Sequence, residues 1–376
     1  MSHIFNCKLC VGAVAFALLF FTSCSGPDVK LLNVGVYNGL GASATCVLET
    51  TEALKIDTEI NPVKISPADI MMGRLSDIDV LIFPGGSGSK EYLSMGDKAQ
   101  KIVDQFIRED GKGVVGICAG AFLSSTTAGY PSLHLSSATV VDRPHYNRGR
   151  GLVEVFMNSA SEQIFPEIAN QSVFLQYYDG PLLSPKGDSM IYSELGTYVT
   201  DIRNRSSIPE GLSPGKTFLL HETVGLGQLF LISGHPESTP GLRWMVPRMA
   251  RFVAGEELVS YKDKWVRPEL NDSAIVFLPE VSAYEKSNFW ILCDGTKEEK
   301  IEAMTHLYEL RSRPAVRWNI GLLRDDIPEV RAYAARLLRL TEYTDALSDL
   351  QIVYDQETDE NVKNQLKETI DFLTDF

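Results

Sequence analysis

The sequence is poor in basic side chains and in metal-binding motifs. It has 35 lysines and arginines against 49 acidic residues, a net charge of −14 at pH 7. Phosphate binding needs a basic face, so we expect no nucleic acid partner. The run HETVG at residues 221–225 lacks the second histidine of a zinc-binding HExxH motif, and cysteine and histidine do not cluster at ligand spacing. We therefore predict neither a metal ion nor another cofactor.

Nucleotide-binding loops are lacking as well. The loop at residues 38–43 begins like a dinucleotide fingerprint, but Ala44 stands where the third glycine belongs. The glycines of residues 84–88 precede Lys90 at a spacing that does not fit a P-loop. Both departures argue against a nucleotide site.

The N-terminus lacks an apolar run long enough to span a bilayer. Residues 11–21 form a short apolar run after Lys8, and small residues directly precede Cys24 in the run FTSC. This segment resembles a bacterial lipoprotein signal. The resemblance implies a signal peptide at residues 1–23, a lipid on Cys24 and a tether at residues 24–30. The protein would then be anchored to a bacterial membrane on its periplasmic or cell-surface side; an ordinary cleaved signal peptide is the alternative.

Few cysteines would remain in such a mature chain. Of the six in the sequence, two lie in the predicted signal peptide and Cys24 would carry lipid. Cys46, Cys118 and Cys293 remain, an odd number for an oxidising compartment. At least one is therefore expected to be a free thiol, with Cys118 the first choice and a disulfide between Cys46 and Cys293 left open.

Cys118 lies in the most informative stretch of the chain. Residues 113–120 read GVVGICAG, a buried strand that runs into a tight turn and then a helix of small residues. Glycines two positions before and after Cys118 give the G-x-nucleophile-x-G pattern of a nucleophile elbow. The helix N-terminus beyond it favours a thiolate. A buried, inert cysteine at a glycine-rich junction is the alternative interpretation.

Strands and helices alternate around this stretch. Solid apolar runs at residues 31–37, 60–65 and 80–83 predict strands, and residues 44–54 and 97–109 predict helices, which is typical of a parallel sheet covered on both faces. Short β-runs then predict an antiparallel extension, at residues 138–141, 152–157, 173–177, 190–193, 197–202, 217–221 and 229–233. An amphipathic helix at residues 241–254 closes an α/β domain of residues 31–255.

The C-terminal part of the sequence is helical. After a predicted connector at residues 256–295, the run DIPEVRAYAARLL at residues 326–338 resembles the first helix of a HEAT-type repeat, and DENVK at residues 359–363 repeats its start. Each such unit has an apolar face that neighbours must cover. Residues 296–376 are therefore predicted to form a small HEAT-like array, either a docking surface for a protein partner or a support for the α/β domain.

A thiol nucleophile needs a base and a group that orients the base. His235 follows the last predicted strand and begins the run HPE, so it sits at a strand end as Cys118 does. Glu237, two residues on, is placed to hold the imidazole tautomer. His221, followed by Glu222, is the main competitor, and we assign it to packing or loop structure.

The motifs together resemble a known superfamily. GICAG at residues 116–120 with HPE at residues 235–237 is similar to class I glutamine amidotransferases, whose elbow cysteine pairs with a His-x-Glu. Within that superfamily, VYNGLGAS at residues 36–43, FPGG at residues 83–86 and GHPE at residues 234–237 resemble the N-terminal domain of biotin–protein ligases. The resemblance covers residues 31–255 and implies a flavodoxin-like sheet with an antiparallel extension.

The resemblance implies acyl transfer by Cys118, His235 and Glu237. The oxyanion would be held by the backbone N–H of Ala119 and by that of Gly85 or Gly86. Separately, three residues at loop positions near predicted strand ends are candidate substrate-binding residues: Tyr37, Asn38 and Tyr178.

Two functions are compatible with the sequence. The first is a lipid-anchored extracytoplasmic thiol amidase or hydrolase that acts on a small-molecule or peptide amide. The second is a catalytically inactive module on the same fold that binds a ligand or a protein. A strict glutamine amidotransferase would need a synthetase domain to receive ammonia, and the sequence contains no such domain.

Overall fold

The computed structural model describes residues 31–187, 190–239, 241–261, 279–310 and 312–375. The predicted signal peptide, tether and lipid-bearing Cys24 lie outside the described residues. The strands are β1 (Leu32–Tyr37), β2 (Ile60–Ile65), β3 (Val80–Phe83), β4 (Gly113–Ile117), β5 (Ala138–Val141), β6 (Arg150–Met157), β7 (Gln171–Tyr178), β8 (Leu182–Pro185), β9 (Ser193–Tyr198), β10 (Thr217–Val224) and β11 (Gly227–Ile232). The helices are α1 (Ala44–Leu54), α2 (Pro67–Met71), α3 (Gly88–Arg108), α4 (Ala119–Ser124), α5 (Met245–Ala254), α6 (Pro279–Asp294), α7 (Lys297–Glu309), α8 (Arg313–Leu322), α9 (Pro328–Leu340), α10 (Leu347–Gln356) and α11 (Glu360–Asp375). Within the described ranges, no helix combines the length and the hydrophobicity that a bilayer crossing requires.

The strands form one mixed sheet in the order β2-β1-β3-β4-β11-β10-β9-β6-β7, with β8 attached to β10 and β5 to β8. Strands β2, β1, β3, β4 and β11 are parallel neighbours. From β11 onward the pairing is antiparallel. This confirms the predicted α/β class with a mixed central sheet.

The parallel strands are covered on both faces, which explains their solid apolar runs. In β4, Val115 and Ile117 pack into one hydrophobic cluster, whereas Val114 packs into the other. Helices α1 and α5 supply the first cluster, and α2, α3 and α4 supply the second. Cys118, at the end of β4, therefore emerges from the middle of a layered α/β/α core.

Some elements differ from the predictions. A single strand, β9, replaces the two strands predicted at residues 190–193 and 197–202, and β8 was not predicted. Helix α3 begins at Gly88 because it continues across a kink at Gly96, whose φ of 66° and ψ of 165° are not helical. Helix α5 begins at Met245, later than predicted. Helix α6 occupies part of the predicted connector.

The helices from α6 onward share one hydrophobic core, which confirms the predicted C-terminal helical region. Val330 and Val362, the residues that mark the repeated sequence, are both buried in it. Arg331 donates to both carboxylate oxygens of Glu357 at 2.7 and 2.9 Å, joining α9 to the residue after α10. That contact holds the pKa of Glu357 down at about 2.

The helical region packs directly against α1 of the α/β region. Leu48 of α1 belongs to the hydrophobic cluster of the helical region. The Thr45 Oγ1 atom lies 3.2 Å from the hydroxyl of Tyr343, within hydrogen-bonding distance. Since α1 also carries Cys46, these contacts bring the helical region close to the predicted site.

Candidate active site

Cys118 adopts the strained backbone of a nucleophile elbow. It lies between β4 and α4 with φ 52° and ψ −100°, outside the conformations that side-chain-bearing residues normally adopt. Its backbone N–H donates to the Ile232 carbonyl at 2.8 Å, which fixes the turn to the end of β11. The side chain is 6% exposed. The fold therefore holds this thiol in a geometry that the local chain alone would not choose.

The two flanking glycines are required by close packing. A Cβ at Gly120 would lie 2.1 Å from the Phe83 carbonyl oxygen. A Cβ at Gly116 would lie 2.6 Å from the Gly120 carbonyl oxygen. Both neighbours are backbone atoms, so neither contact is relieved by a rotamer change. The G-x-C-x-G pattern is thus a consequence of how β4 and α4 pack on β3.

His235 and Glu237 form a buried pair directly after β11. The His235 Nδ1 atom lies 2.7 Å from Oε1 of Glu237, and the two side chains are 2% and 0% exposed. The His235 N–H donates to the Gln176 carbonyl at 2.9 Å, and Thr239 Oγ1 donates to the His235 carbonyl at 2.7 Å. When Nδ1 donates its proton to the Glu237 oxygen in this contact, Nε2 is the basic nitrogen of the imidazole.

Cys118 and His235 line the same cavity, which has a volume of about 1180 Å³. Its walls come from the loops at the carboxyl ends of the parallel strands, where sites in such sheets form. The helical region contributes Pro314 and Arg317 of α8. The lining residues are Ser43, Thr45, Cys46, Gly86, Ser87, Gly88, Ser89, Cys118, Ala119, Phe122, Tyr130, Arg143, Pro144, Tyr146, Arg150, Tyr178, Asp179, His235, Pro314 and Arg317.

The residues predicted to hold the oxyanion lie around Cys118 and His235. Ala119 and Gly86 both line the cavity, and Ala119 is the first residue of α4, where N–H groups lack intrahelical acceptors. Gly85 packs closely against His235, since a Cβ there would lie 2.6 Å from Cε1 of that imidazole. The loop is held in place because Ser43 N–H donates to the Gly85 carbonyl at 2.9 Å.

Of the three predicted substrate-binding residues, only Tyr178 reaches the cavity. Its carbonyl oxygen accepts a hydrogen bond from the Cys118 thiol at 3.5 Å, and its ring packs edge-on against His235 at 5.4 Å between centroids. The Tyr37 side chain is fully buried in the core, with its hydroxyl 2.9 Å from Ser94 Oγ. Asn38 is exposed, and neither it nor Tyr37 is among the lining residues.

Cys46 lies at this site, although its sequence pattern did not predict it there. It lies in the first turn of α1 and lines the cavity beside His235. Cys46 is buried and Cys293 is exposed, and neither is in a disulfide, so the disulfide left open between them is not formed. The signal available in the sequence was the position of Cys46 just after a glycine-rich strand–helix loop.

A metal ion has one set of potential ligands among the described residues. Cys46, His235 and Glu237 each offer one ligand atom, and these three atoms lie within 4.8 Å of one another. The 2.7 Å contact between His235 Nδ1 and Glu237 is a hydrogen bond, however, and it already uses one atom of each residue. The same contact is the one that an acid–base histidine needs.

The competing histidine lies elsewhere. The Nε2 atom of His221 is 2.6 Å from Oε1 of Gln228, and burial lowers the pKa of its imidazole. Glu222 accepts hydrogen bonds from Ser136 and Ser137, so it anchors a loop. Neither residue lines the cavity, which agrees with their assignment to packing.

Glu91, in the first turn of α3, is a buried ionisable group two residues after Ser89, which lines the cavity. Its side chain is 0% exposed, and burial raises its carboxyl pKa to about 8. The native pKa thus lies above the unfolded value near 4.5. The unfolded chain therefore ionises first, and stability falls as the pH rises from about 4.5 to about 8.

We predict that Glu91→Gln removes most of this pH dependence. The unfolding free energy of the variant minus that of the parent chain should therefore be about 3–5 kcal/mol larger at pH 9 than at pH 4. Urea denaturation at both pH values measures the gain. Glu109→Gln, at the exposed end of the same helix, is the matched control and should show none. Parallel pH profiles for the parent and Glu91→Gln would contradict the prediction.

The fold and site define an α/β protein with a cysteine elbow, a buried His–Glu pair and a helical region against the site. Residues 32–144 match the family model described as "Biotin-protein ligase, N terminal". The match supports the sequence resemblance for β1 to β5, including Cys118. His235 and Glu237 lie beyond the matched residues.

Comparison with other proteins adds distant structural likenesses. No curated protein matches the sequence. Among solved structures, a β-galactosidase from Bacillus circulans sp. alkalophilus is 15% identical over 64% of this chain, with a TM-score of 0.38; the aligned part is 32% of that chain. A ThuA-like protein from Bacteroides uniformis is 13% identical over 59% of this chain and 91% of its own length, with a TM-score of 0.42. This chain thus spans about a third of the galactosidase.

Proposed function

We propose that this protein is an extracytoplasmic thiol amidase or hydrolase, anchored to a bacterial membrane through lipid on Cys24. Cys118 is the nucleophile, His235 the general base and Glu237 the group that orients it. One observation carries the proposal. A strained elbow cysteine lines the same cavity as a histidine whose Nδ1 is held by a buried glutamate at 2.7 Å.

The reaction proceeds by acyl transfer. His235 Nε2 takes the thiol proton, and the Cys118 sulfur attacks the carbonyl carbon of a substrate amide. The oxyanion is stabilised by the N–H groups of Ala119 and of Gly85 or Gly86. His235 then returns the proton to the leaving amine as the C–N bond breaks. Water, deprotonated by His235, hydrolyses the thioester and regenerates the thiol.

The architecture supports a glutamine amidotransferase-like domain of flavodoxin-like type. The parallel strands follow the order β2-β1-β3-β4-β11, the order of a flavodoxin-like sheet. We propose further that the helices from α6 to α11 form a HEAT-like array. Their stacking around α9, and the burial of Val330 and Val362 at equivalent positions, support this. Such an array offers a surface for a protein partner.

One contact favours the second candidate function, a catalytically inactive binding module. The Cys118 thiol donates to the Tyr178 carbonyl at 3.5 Å, an interaction that a thiolate cannot make. In an inactive module this hydrogen bond would persist and the cavity would bind its ligand without turnover. In a hydrolase the substrate must displace it.

Labelling with a diazo-ketone analogue of glutamine separates the two functions. An activated thiolate displaces nitrogen from the protonated reagent and forms a thioether. We expect mass spectrometry to place this adduct on Cys118 and not on Cys293. Cys293 is the internal control because it is an exposed free thiol that iodoacetamide should alkylate. Alkylation of both cysteines by iodoacetamide without any diazo-ketone adduct would favour the inactive module.

A further inference from the structure

The wall of the cavity is basic, although the chain as a whole is acidic. Three arginines line it, with one aspartate as the only carboxylate among the described lining residues. Arg150 is neutralised, since its Nε lies 3.0 Å from Oδ2 of that aspartate, Asp179. The positive charge that remains available comes from Arg143 and Arg317.

Arg143 lies at one side of the cavity, where two contacts position its guanidinium. Its Nη1 donates to the Ala128 carbonyl at 3.0 Å, and its guanidinium lies over the Tyr130 ring, 5.3 Å from the centroid. These contacts fix the group without cancelling its charge. Within the described part of the chain, no carboxylate forms an ion pair with Arg143.

Arg317 reaches the cavity from the helical region. Its neighbours Ala315 and Val316 are buried in the core of that region, whereas Pro314 and Arg317 line the cavity. The Thr45–Tyr343 contact and the burial of Leu48 hold the helices in this position. The structure gives Arg317 no carboxylate partner within its described residues, and its side chain is exposed.

We infer that the substrate carries an anionic oxygen-bearing group, a carboxylate or a phosphate, which Arg317 and Arg143 bind. Guanidinium groups suit this chemistry because their paired N–H donors match two oxygens of one group. The nearby rings of Phe122 and Tyr146 would contact an apolar linker between the anion and the scissile amide. The inference rests on the proposed amidase function and assigns a substrate-specificity role to the helical region.

Two matched amides test the inference: the 4-nitroanilide of glutaric acid and the same compound with its carboxylate as a methyl ester. We expect the unaltered protein to cleave the charged amide with a kcat/KM at least about tenfold higher. Arg317→Ala should abolish that preference by lowering kcat/KM for the charged amide, and Arg317→Lys should retain part of it. Arg336→Ala is the control, because this exposed arginine on α9 lies outside the cavity lining.

Calorimetry with glutarate and with inorganic phosphate separates anion binding from turnover. Binding of either anion, weakened about tenfold or more by Arg317→Ala and by Arg143→Ala, supports the inference and identifies the oxyanion. If such binding is found but neither amide is cleaved, the anion site stands and the hydrolase proposal fails. Equal cleavage of both amides, with no effect of Arg317→Ala on cleavage or binding, overturns the inference and leaves the hydrolase intact.

Discussion

Replacing Cys118 with alanine should reduce hydrolysis of the glutaric acid 4-nitroanilide by about 10⁴-fold or more. In the proposed mechanism Cys118 forms the covalent bond that divides the reaction into two steps, so the variant would keep only binding and oxyanion stabilisation. The measurement is the rate of 4-nitroaniline release under saturating substrate. The result should not reflect unfolding, because alanine meets the same backbone strain at φ 52° as cysteine does.

Replacing Glu237 with glutamine tests the proposed role of this carboxylate in orienting His235. Glutamine keeps the shape of the side chain but replaces the carboxylate. It is the carboxylate oxygen Oε1, 2.7 Å from His235 Nδ1, that favours a proton on that nitrogen. We expect kcat to fall by about 10²- to 10⁴-fold, less than for Cys118→Ala, because the tautomer is no longer fixed. His235→Asn should approach the Cys118→Ala loss.

Two further cysteines sharpen this test. Cys293→Ser is the matched control, since its exposed thiol lies on α6 and outside the cavity lining. Cys46 is the internal competitor, because its sulfur and a ring nitrogen of His235 lie within 4.8 Å of each other. If Cys46→Ser abolished hydrolysis and Cys118→Ala did not, the nucleophile would be Cys46 and the assignment from the elbow would be wrong.

The parts of the structure that were predicted correctly depend on local signals. Strand β4 and the turn at Cys118 are encoded by apolar residues followed by two glycines at fixed spacing. Helix α1 begins and ends where its sequence pattern predicts, at Ala44 and Leu54. His235 could be singled out because it closely follows an apolar strand. The structure places it beside the cavity that Cys118 also lines.

The parts that were not predicted depend on contacts between distant residues. Tyr37 ends β1 on the opposite face from Val34 and Val36, which carries its ring into the core and away from the site. Cys46 meets His235 only after α1 packs beside the strand ends. Arg317 lines the cavity only because the helical region packs against α1, and no sequence pattern near position 317 predicts this.

A buried ion pair beside the C-terminal end of α1 is the basis of the second prediction with a large expected effect. Asp57, just beyond α1, accepts hydrogen bonds from Arg251 of α5 at 2.5 and 3.1 Å and from the Tyr261 hydroxyl at 3.2 Å. Asp57 is 0% and Arg251 is 5% exposed. Burial acts to lower the pKa of Arg251, but hydrogen bonds to Asp57 and Glu59 outweigh it and the pKa is raised. The pair joins the two helices that cover one face of the sheet.

We expect Asp57→Leu to lower the unfolding free energy by about 3–5 kcal/mol, because it leaves the charge of Arg251 buried without its main partner. Urea denaturation near pH 7 measures the loss. The matched control is Asp104→Leu, which breaks an exposed pair with Arg108 at 2.7 Å and should cost no more than about 1 kcal/mol. Equal losses for the two variants would contradict the prediction.

The double variant Asp57→Leu with Arg251→Met separates the pair's own contribution from the cost of leaving one charge alone. Two apolar side chains of similar size remove both charges from the core, and such replacements are often neutral or stabilising. We therefore expect the double variant to recover most of the stability lost in Asp57→Leu. Because α1 carries Thr45 and Cys46 at its opposite end, the single variant should also weaken the binding of glutarate in the cavity, and the double variant should restore it. Recovery of stability without recovery of binding would mean that the charged pair itself sets the position of α1.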